Sequence, residues 1–152
     1  MSSVTRTMST TPERVWGVLS DGWLVPLWVV GASRIREVDE SWPKPGSRIF
    51  HSFGVWPIMI NDDTEVLESE PGRLIRLRAE GQPLGAAEVT ITLTAIGSDT
   101  EVKIREVAVA GPGALIPDAV LAPLLNWRNT ETLRRLAFLA ERRPASLLPK
   151  ES

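Results

Sequence analysis

The stretch EVKIREVAVAGPGALIPDAVLAPLLNWRNTETLRRLAFLAER, residues 101–142, decides the fold because its hydrophobic period changes once along it. Alternation in the first part predicts a β-strand over Glu101–Ala110. The Gly-Pro-Gly segment at 111–113 then ends the strand. From about Pro117 to Arg142 apolar residues recur at helical spacing, which predicts a single C-terminal helix about 25 residues and 37 Å long.

Upstream of this stretch, residues alternate with a period of two between turn residues such as Pro45-Gly46 and Pro71-Gly72. Short connections without helices predict hairpins and therefore an antiparallel sheet of about seven strands. The predicted strands are Val4–Met8, Arg34–Asp39, Arg48–Phe53, Ile58–Glu68, Leu74–Glu80, Ala86–Ile96 and Glu101–Ala110.

Two short helices are predicted after the first strand. Thr11 is a good N-cap residue and Pro12 suits the first helical position, so a helix begins there and stops at Asp21-Gly22. The apolar segment Trp23–Trp28 contains Pro26, which prevents one smooth helix and predicts a second one after a bend.

These elements together predict an α+β fold in which a curved antiparallel sheet wraps around the long C-terminal helix. One helix covers only part of a concave sheet of this size, so an internal cavity remains between them. Such a cavity is a natural site for a small molecule. We expect a single domain over residues 1–144 and a flexible tail over residues 145–152.

Composition excludes several kinds of chemistry. The chain has no cysteine and one histidine, so disulfides and thiolate chemistry are absent, and neither a metal nor another cofactor is predicted. With 17 basic and 19 acidic residues, nucleic acid is a poor partner. Glycines and prolines interrupt the weakly charged stretch Val107–Leu125, so no membrane span is expected. No signal peptide is recognisable, which predicts a cytoplasmic location.

Glu106 is the first candidate for catalysis. It shares one face of its predicted strand with Val102, Ile104 and Ala108, which indicates an inward position and adds Ile104 to the predicted cavity wall. A carboxylate there suits a general acid or base, or a hydrogen-bonding anchor for a ligand. The alternative is a bulge at the strand end that shifts the register and leaves Glu106 paired with a surface arginine.

His51 is the second candidate, because it lies beside Ile49 and Phe53 on one face of its strand. It would add a second polar group to the cavity. The alternative is an ordinary histidine of the core or rim.

On the long helix, Asn126 and Asn129 interrupt the apolar stripe that contains Leu125 and Leu133. Asparagines facing the cavity would offer a donor and an acceptor to a ligand, with the two leucines as apolar contacts. The alternative is a satisfied amide that bonds to a neighbouring loop carbonyl.

Aromatic residues fall into two groups. Trp16, Trp28 and Trp56 are candidates for the walls and entrance of the pocket, or else ordinary core residues. Trp127 and Phe138 lie on the opposite side of the long helix, where they would pack under the tail or mark a subunit contact.

Six segments of the sequence carry a resemblance to a known family: TPERVWGVLSD (11–21), WVVGASRIREVD (28–39), WPKPGSRI (42–49), DDTEVLESEPGR (62–73), GPGALIPD (111–118) and NWRNTETLRRLAFLAER (126–142). In these segments the sequence resembles the polyketide cyclase/dehydrase group of the START-like (SRPBCC, Bet v 1-like) superfamily. The resemblance implies the helix-grip fold, in which an antiparallel sheet grips a long C-terminal helix around a hydrophobic tunnel. It also marks Glu106 and Asn129 as typical of the family.

The predicted function is binding of a small hydrophobic molecule, of lipid, quinone or aromatic polyketide type, in the internal cavity. A first alternative is a polyketide cyclase/dehydratase in which Glu106 or His51 moves a proton during aldol-type ring closure. A second alternative is an interaction module or homodimer that uses Trp127 and Phe138.

Overall fold

A computed structural model describes residues 1–29, 34–55, 58–81 and 85–142 of the chain. Trp56 and the predicted tail, residues 145–152, lie outside these ranges. The elements in chain order are β1 Ser2–Met8, α1 Pro12–Leu19, a 3-10 turn Gly22–Leu24, α2 Val25–Trp28, β2 Arg34–Val38, β3 Arg48–Val55, β4 Ile58–Glu70, β5 Leu74–Gly81, β6 Gly85–Ile96, β7 Asp99–Ala110, a second 3-10 turn Pro112–Leu115, and α3 Asp118–Arg142. The predicted α+β helix-grip architecture is confirmed, with strand ends shifted by a few residues.

All seven strands form one antiparallel sheet with the order β1-β7-β6-β5-β4-β3-β2. Strands β2 to β7 follow one another as hairpins, while β1 pairs with β7, placing Ser2 opposite Glu106. Register shifts interrupt three of the pairings. Bulges of this kind bend a sheet, which accounts for its curvature around α3.

The register of β7 decides where Glu106 points. A shift does occur near the end of the β6–β7 pair, as the alternative interpretation required, but it lies between Ala86 and Ala87. Glu106 is still in the regular part of the ladder, opposite Val89. Its side chain therefore stays on the inward face, and the predicted register shift is wrong. The arginine pairing that the same alternative included does occur, with Arg128, whose side chain is 39% exposed.

Helix α1 begins as the sequence predicts, because the Thr11 hydroxyl accepts a hydrogen bond from the Arg14 backbone N–H at 3.4 Å. Val15 and Val18 on its inner face are fully buried. Each such side chain contributes roughly 1.5 to 3 kcal/mol when it leaves water, so α1 is held mainly by the core.

The two halves of α3 pack differently. The buried residues of the helix begin only near its midpoint: Asn129, Thr132, Leu133, Leu136, Ala137 and Ala140. The first half contains Pro123, whose missing N–H removes one backbone hydrogen bond. The first half therefore covers the concave sheet without filling it. No helix within the described ranges combines the length and hydropathy that a bilayer crossing needs.

Candidate functional site

A cavity of about 260 Å³ lies between the concave face of the sheet, α2 and the first half of α3. Its wall is mainly aliphatic and aromatic, with contributions from Ile49, Leu77, Val89, Leu121 and Leu125. Apolar walls with a few polar groups are typical of small-molecule sites. The polar residues of the wall are His51, Thr64, Glu80, Glu106, Arg128, Asn129 and Thr132.

Glu106 forms the centre of one polar end of the cavity, and its side chain is only 6% exposed. Both carboxylate oxygens accept hydrogen bonds at 2.5 Å from Nη2 of Arg128. Oε1 also accepts one from Nδ2 of Asn129 at 3.0 Å. A buried carboxylate is costly unless it is paired, and these two side chains of α3 supply the pairing.

Strand β1 extends this network. The Ser2 hydroxyl accepts a hydrogen bond from Nδ2 of Asn129 at 3.3 Å and donates one to Oδ1 of Asn126 at 2.6 Å. Because Asn129 donates to both Ser2 and Glu106, its amide group is fixed in one orientation. The network joins β1, β7 and α3 at the point where the cavity meets the core.

His51 forms the second polar end, on β3. It is buried, and Nε2 lies 2.8 Å from the hydroxyl oxygen of Thr64. Burial lowers the pKa of the imidazole, an effect that the nearby Asp62 and Asp63 carboxylates only partly oppose. His51 is therefore neutral at physiological pH. Four strand spacings separate β3 from β7, so the two ends lie about 19 Å apart along the sheet surface.

Two tryptophans contribute to the cavity wall. Trp28, at the end of α2, is 4% exposed and lines the cavity, as the sequence suggested. Trp42 lines it as well, with Nε1 donating to the Leu19 carbonyl at 3.3 Å. Sequence reasoning missed Trp42 because it lies in a connection with no hydrophobic period. Trp16 packs against the core and is not among the wall residues of the described chain.

The other predicted residues divide between wall, core and surface. Ile104, Leu125 and Asn129 line the cavity, whereas Leu133 is buried in the core one turn beyond Asn129. Asn126 lies outside the wall and bonds to Ser2.

Arg128 is the main residue that sequence reasoning missed. A signal existed, because it follows Leu121 by seven positions and Leu125 by three, and this spacing places all three on one face of a helix.

A curved antiparallel sheet that grips a long C-terminal helix around a mostly apolar cavity defines a pocket protein of the Bet v 1-like, helix-grip class. Residues 2–141 match the sequence model of the family described as "Polyketide cyclase / dehydrase and lipid transport". The chain belongs to this family. Among curated proteins, none matches the chain.

Solved structures show the same fold. Protein CV1439 from Chromobacterium violaceum is 24% identical, with a TM-score of 0.68 over 91% of this chain and 96% of its own. Ara h 8.0201 is 14% identical, with a TM-score of 0.67 over 91% and 95%. The di-domain ARO/CYC StfQ from the steffimycin biosynthetic pathway is 14% identical, with a TM-score of 0.67 over 93% of this chain and 50% of its own. The chain thus spans about half the length of StfQ.

Proposed function

We propose that this protein binds a small hydrophobic molecule in the cavity between the sheet and α3. The observation that carries the proposal is a mainly apolar wall with polar groups concentrated at two separate ends. Apolar contact supplies affinity in such a site, and the polar groups orient the ligand. The fold shared with ligand-binding families supports the proposal by analogy. A cytoplasmic location stays a prediction.

The cavity volume restricts the size of the ligand. A volume of about 260 Å³ lies just below the range of about 300 to 1,000 Å³ that is usual for small-molecule pockets. A compact molecule such as a naphthoquinone is therefore a suitable first probe.

A cavity-filling variant tests the proposal. Ala108 lines the cavity, and its neighbour Val107 is exposed on the other face of β7. Ala108→Phe should abolish the rise in melting temperature that 1,4-naphthoquinone gives, because bound ligand stabilises only the folded state. Val107→Phe adds a comparable ring outside and should keep the rise. Circular dichroism follows melting, and native mass spectrometry counts bound ligand. Equal responses from the two variants would place the ligand elsewhere.

A cyclase/dehydratase is the second candidate, because Glu106 and His51 line the same cavity. Neutral His51 would accept a proton from the carbon beside a ketone, and that carbon would then attack a second carbonyl carbon to close a ring. The π bond of the attacked carbonyl opens to an alkoxide, which takes the proton back from His51 to give the hydroxyl. The Glu106 carboxylate would act as an alternative base. Glu106→Gln and His51→Ala should then each reduce turnover of an aromatic polyketide substrate. Full turnover in both variants would exclude this mechanism.

A homodimer is favoured by the outer face of α3, where Val120, Trp127 and Phe138 are 58%, 71% and 57% exposed. Their spacing places them on one stripe of the helix. A two-fold axis at the level of residue 129 would bring Val120 of one copy against Phe138 of the other. Trp127→Ala should lower the mass found by sedimentation velocity, whereas an unchanged mass would count against the dimer.

A further inference from the structure

Each charged residue of the cavity wall is paired with a residue of opposite charge. Glu106 pairs with Arg128, and His51 is neutral because burial lowers its pKa. Glu80, at the rim, accepts a hydrogen bond from Nε of Arg78 at 3.1 Å. Among the described residues, these groups are all the ionisable ones on the wall. The cavity therefore presents polar atoms to a ligand without presenting an unpaired charge.

We propose that Glu106 is a specificity-determining residue that makes the cavity select neutral ligands bearing a hydrogen-bond acceptor over anionic ligands of the same size. This inference rests on the proposed function, that the cavity binds a small hydrophobic molecule. In this role the Glu106 carboxylate balances the positive charge of Arg128. The arginine then donates hydrogen bonds to a ligand without attracting a ligand that carries a carboxylate.

The geometry gives Arg128 donors that the protein does not use. Nη2 is occupied by Glu106, whereas Nε and Nη1 have no hydrogen-bond acceptor among the described residues. A carbonyl oxygen of a ligand can therefore bond to the guanidinium while Glu106 stays in place. The preferred ligand is thus a ketone, an aldehyde or a quinone with its oxygen at this end.

A carboxylate ligand meets a different environment at the same position. To reach Arg128 it must approach Glu106, because Nη2 lies 2.5 Å from both oxygens of that side chain. Two carboxylates near one guanidinium repel each other, and the low dielectric of the cavity strengthens the repulsion. Glu106 cannot move away easily, since Asn129 also holds it.

Stability alone gives little reason for this pair. Replacing a buried ion pair with apolar residues of similar volume is often neutral or stabilising, so the pair is weak evidence for a structural role. Its position on the cavity wall instead provides a functional reason. Glu106 acts on the ligand through Arg128 and does not itself bond to the ligand. It is therefore a positioning residue.

Two ligands of matched shape test the inference. 2-Acetonaphthone is neutral and 2-naphthoate is its carboxylate analogue, so their affinity ratio isolates charge. Isothermal titration at pH 7.5 and fixed ionic strength should show the ketone binding the wild-type protein about tenfold or more tightly than the carboxylate. Equal affinity, or preference for the carboxylate, would overturn the inference without any variant.

Variants show whether Glu106 causes the preference for the neutral ligand. Glu106→Gln leaves Arg128 uncompensated and should improve naphthoate binding by about tenfold, reversing the preference, with acetonaphthone affinity nearly unchanged. Adding Arg128→Gln should remove the gain. Glu88→Gln makes the same charge change on β6 outside the cavity wall and should leave the ratio as in wild type. An unchanged ratio in folded Glu106→Gln would overturn the inference and leave the proposed function standing. Binding of neither ligand to the folded wild-type protein would overturn both.

Discussion

Each polar end of the cavity buries an ionisable side chain, and the two ends offset the cost of that burial in different ways. At one end Arg128 and Asn129 surround the Glu106 carboxylate with hydrogen-bond donors. At the other end His51 loses its charge, because burial lowers its pKa, and the Thr64 hydroxyl lies beside its Nε2. The first end depends on an exact partner from α3, whereas the second depends on neighbouring strands of the sheet. Substitutions at the Glu106 end should therefore lower the free energy of unfolding far more than substitutions at the His51 end.

The largest effect is expected for Arg128→Ala. Removing the guanidinium leaves the buried Glu106 carboxylate with Asn129 alone, which should lower the free energy of unfolding by about 3 kcal/mol, the low end for a broken buried pair. The low end applies because the Arg128 side chain is 39% exposed. Urea unfolding at pH 7.5 measures the change.

Arg134→Ala is the matched control, because it breaks an exposed ion pair with Glu131 on the same helix. It should leave the unfolding midpoint close to that of wild type, since exposed pairs contribute little. Equal losses of unfolding free energy in the two arginine variants would show that the buried pair at the Glu106 end contributes no more than an exposed pair.

A smaller effect is expected for Thr64→Val at the His51 end. The substitution preserves shape but removes the hydroxyl beside Nε2, which should cost about 1 kcal/mol. Thr94→Val, at the exposed end of β6, makes the same chemical change at a position in contact with water and should leave the free energy of unfolding nearly unchanged. A loss as large as that in Arg128→Ala would show that the two ends are equally sensitive.

The smallest effect is a pH dependence. The folded pKa of His51 lies below its unfolded value, so the unfolded chain binds a proton first as the pH falls. The stability contributed by neutral His51 is fully present above about pH 6.5 and is lost progressively as the pH falls from there towards the folded pKa. His51→Gln should lack this loss between pH 7 and 5.5. As His51 is the chain's one histidine, parallel curves for the two proteins would contradict its buried, neutral state.

The fold could be predicted from the sequence because strand alternation and helical spacing are both local patterns. Alternation along β7 placed Glu106 inward, and helical spacing identified α3. Alternation also grouped His51 with Ile49 on one face of β3, but Phe50 makes the other face apolar as well, so the pattern did not decide that the His51 face lines the cavity.

The arrangement of the site was less accessible. Pairing of Glu106 with Arg128 depends on how α3 is rotated over the sheet, which no local pattern specifies. Leu125 and Leu133 belong to one apolar stripe, but only the first faces the cavity, because the second half of the helix packs directly on the core. Trp42 reaches the wall from a connection, where the sequence carries no period.

The tryptophans give the protein a built-in optical reporter. With six tryptophans and no tyrosine, its near-ultraviolet emission is essentially that of indole. Trp28 and Trp42 lie in the cavity wall, whereas Trp23 and Trp127 are 59% and 71% exposed. Buried indoles emit at shorter wavelengths than exposed ones. An aromatic molecule entering the cavity should therefore quench the blue side of the spectrum first, and one adhering to the outer surface the red side.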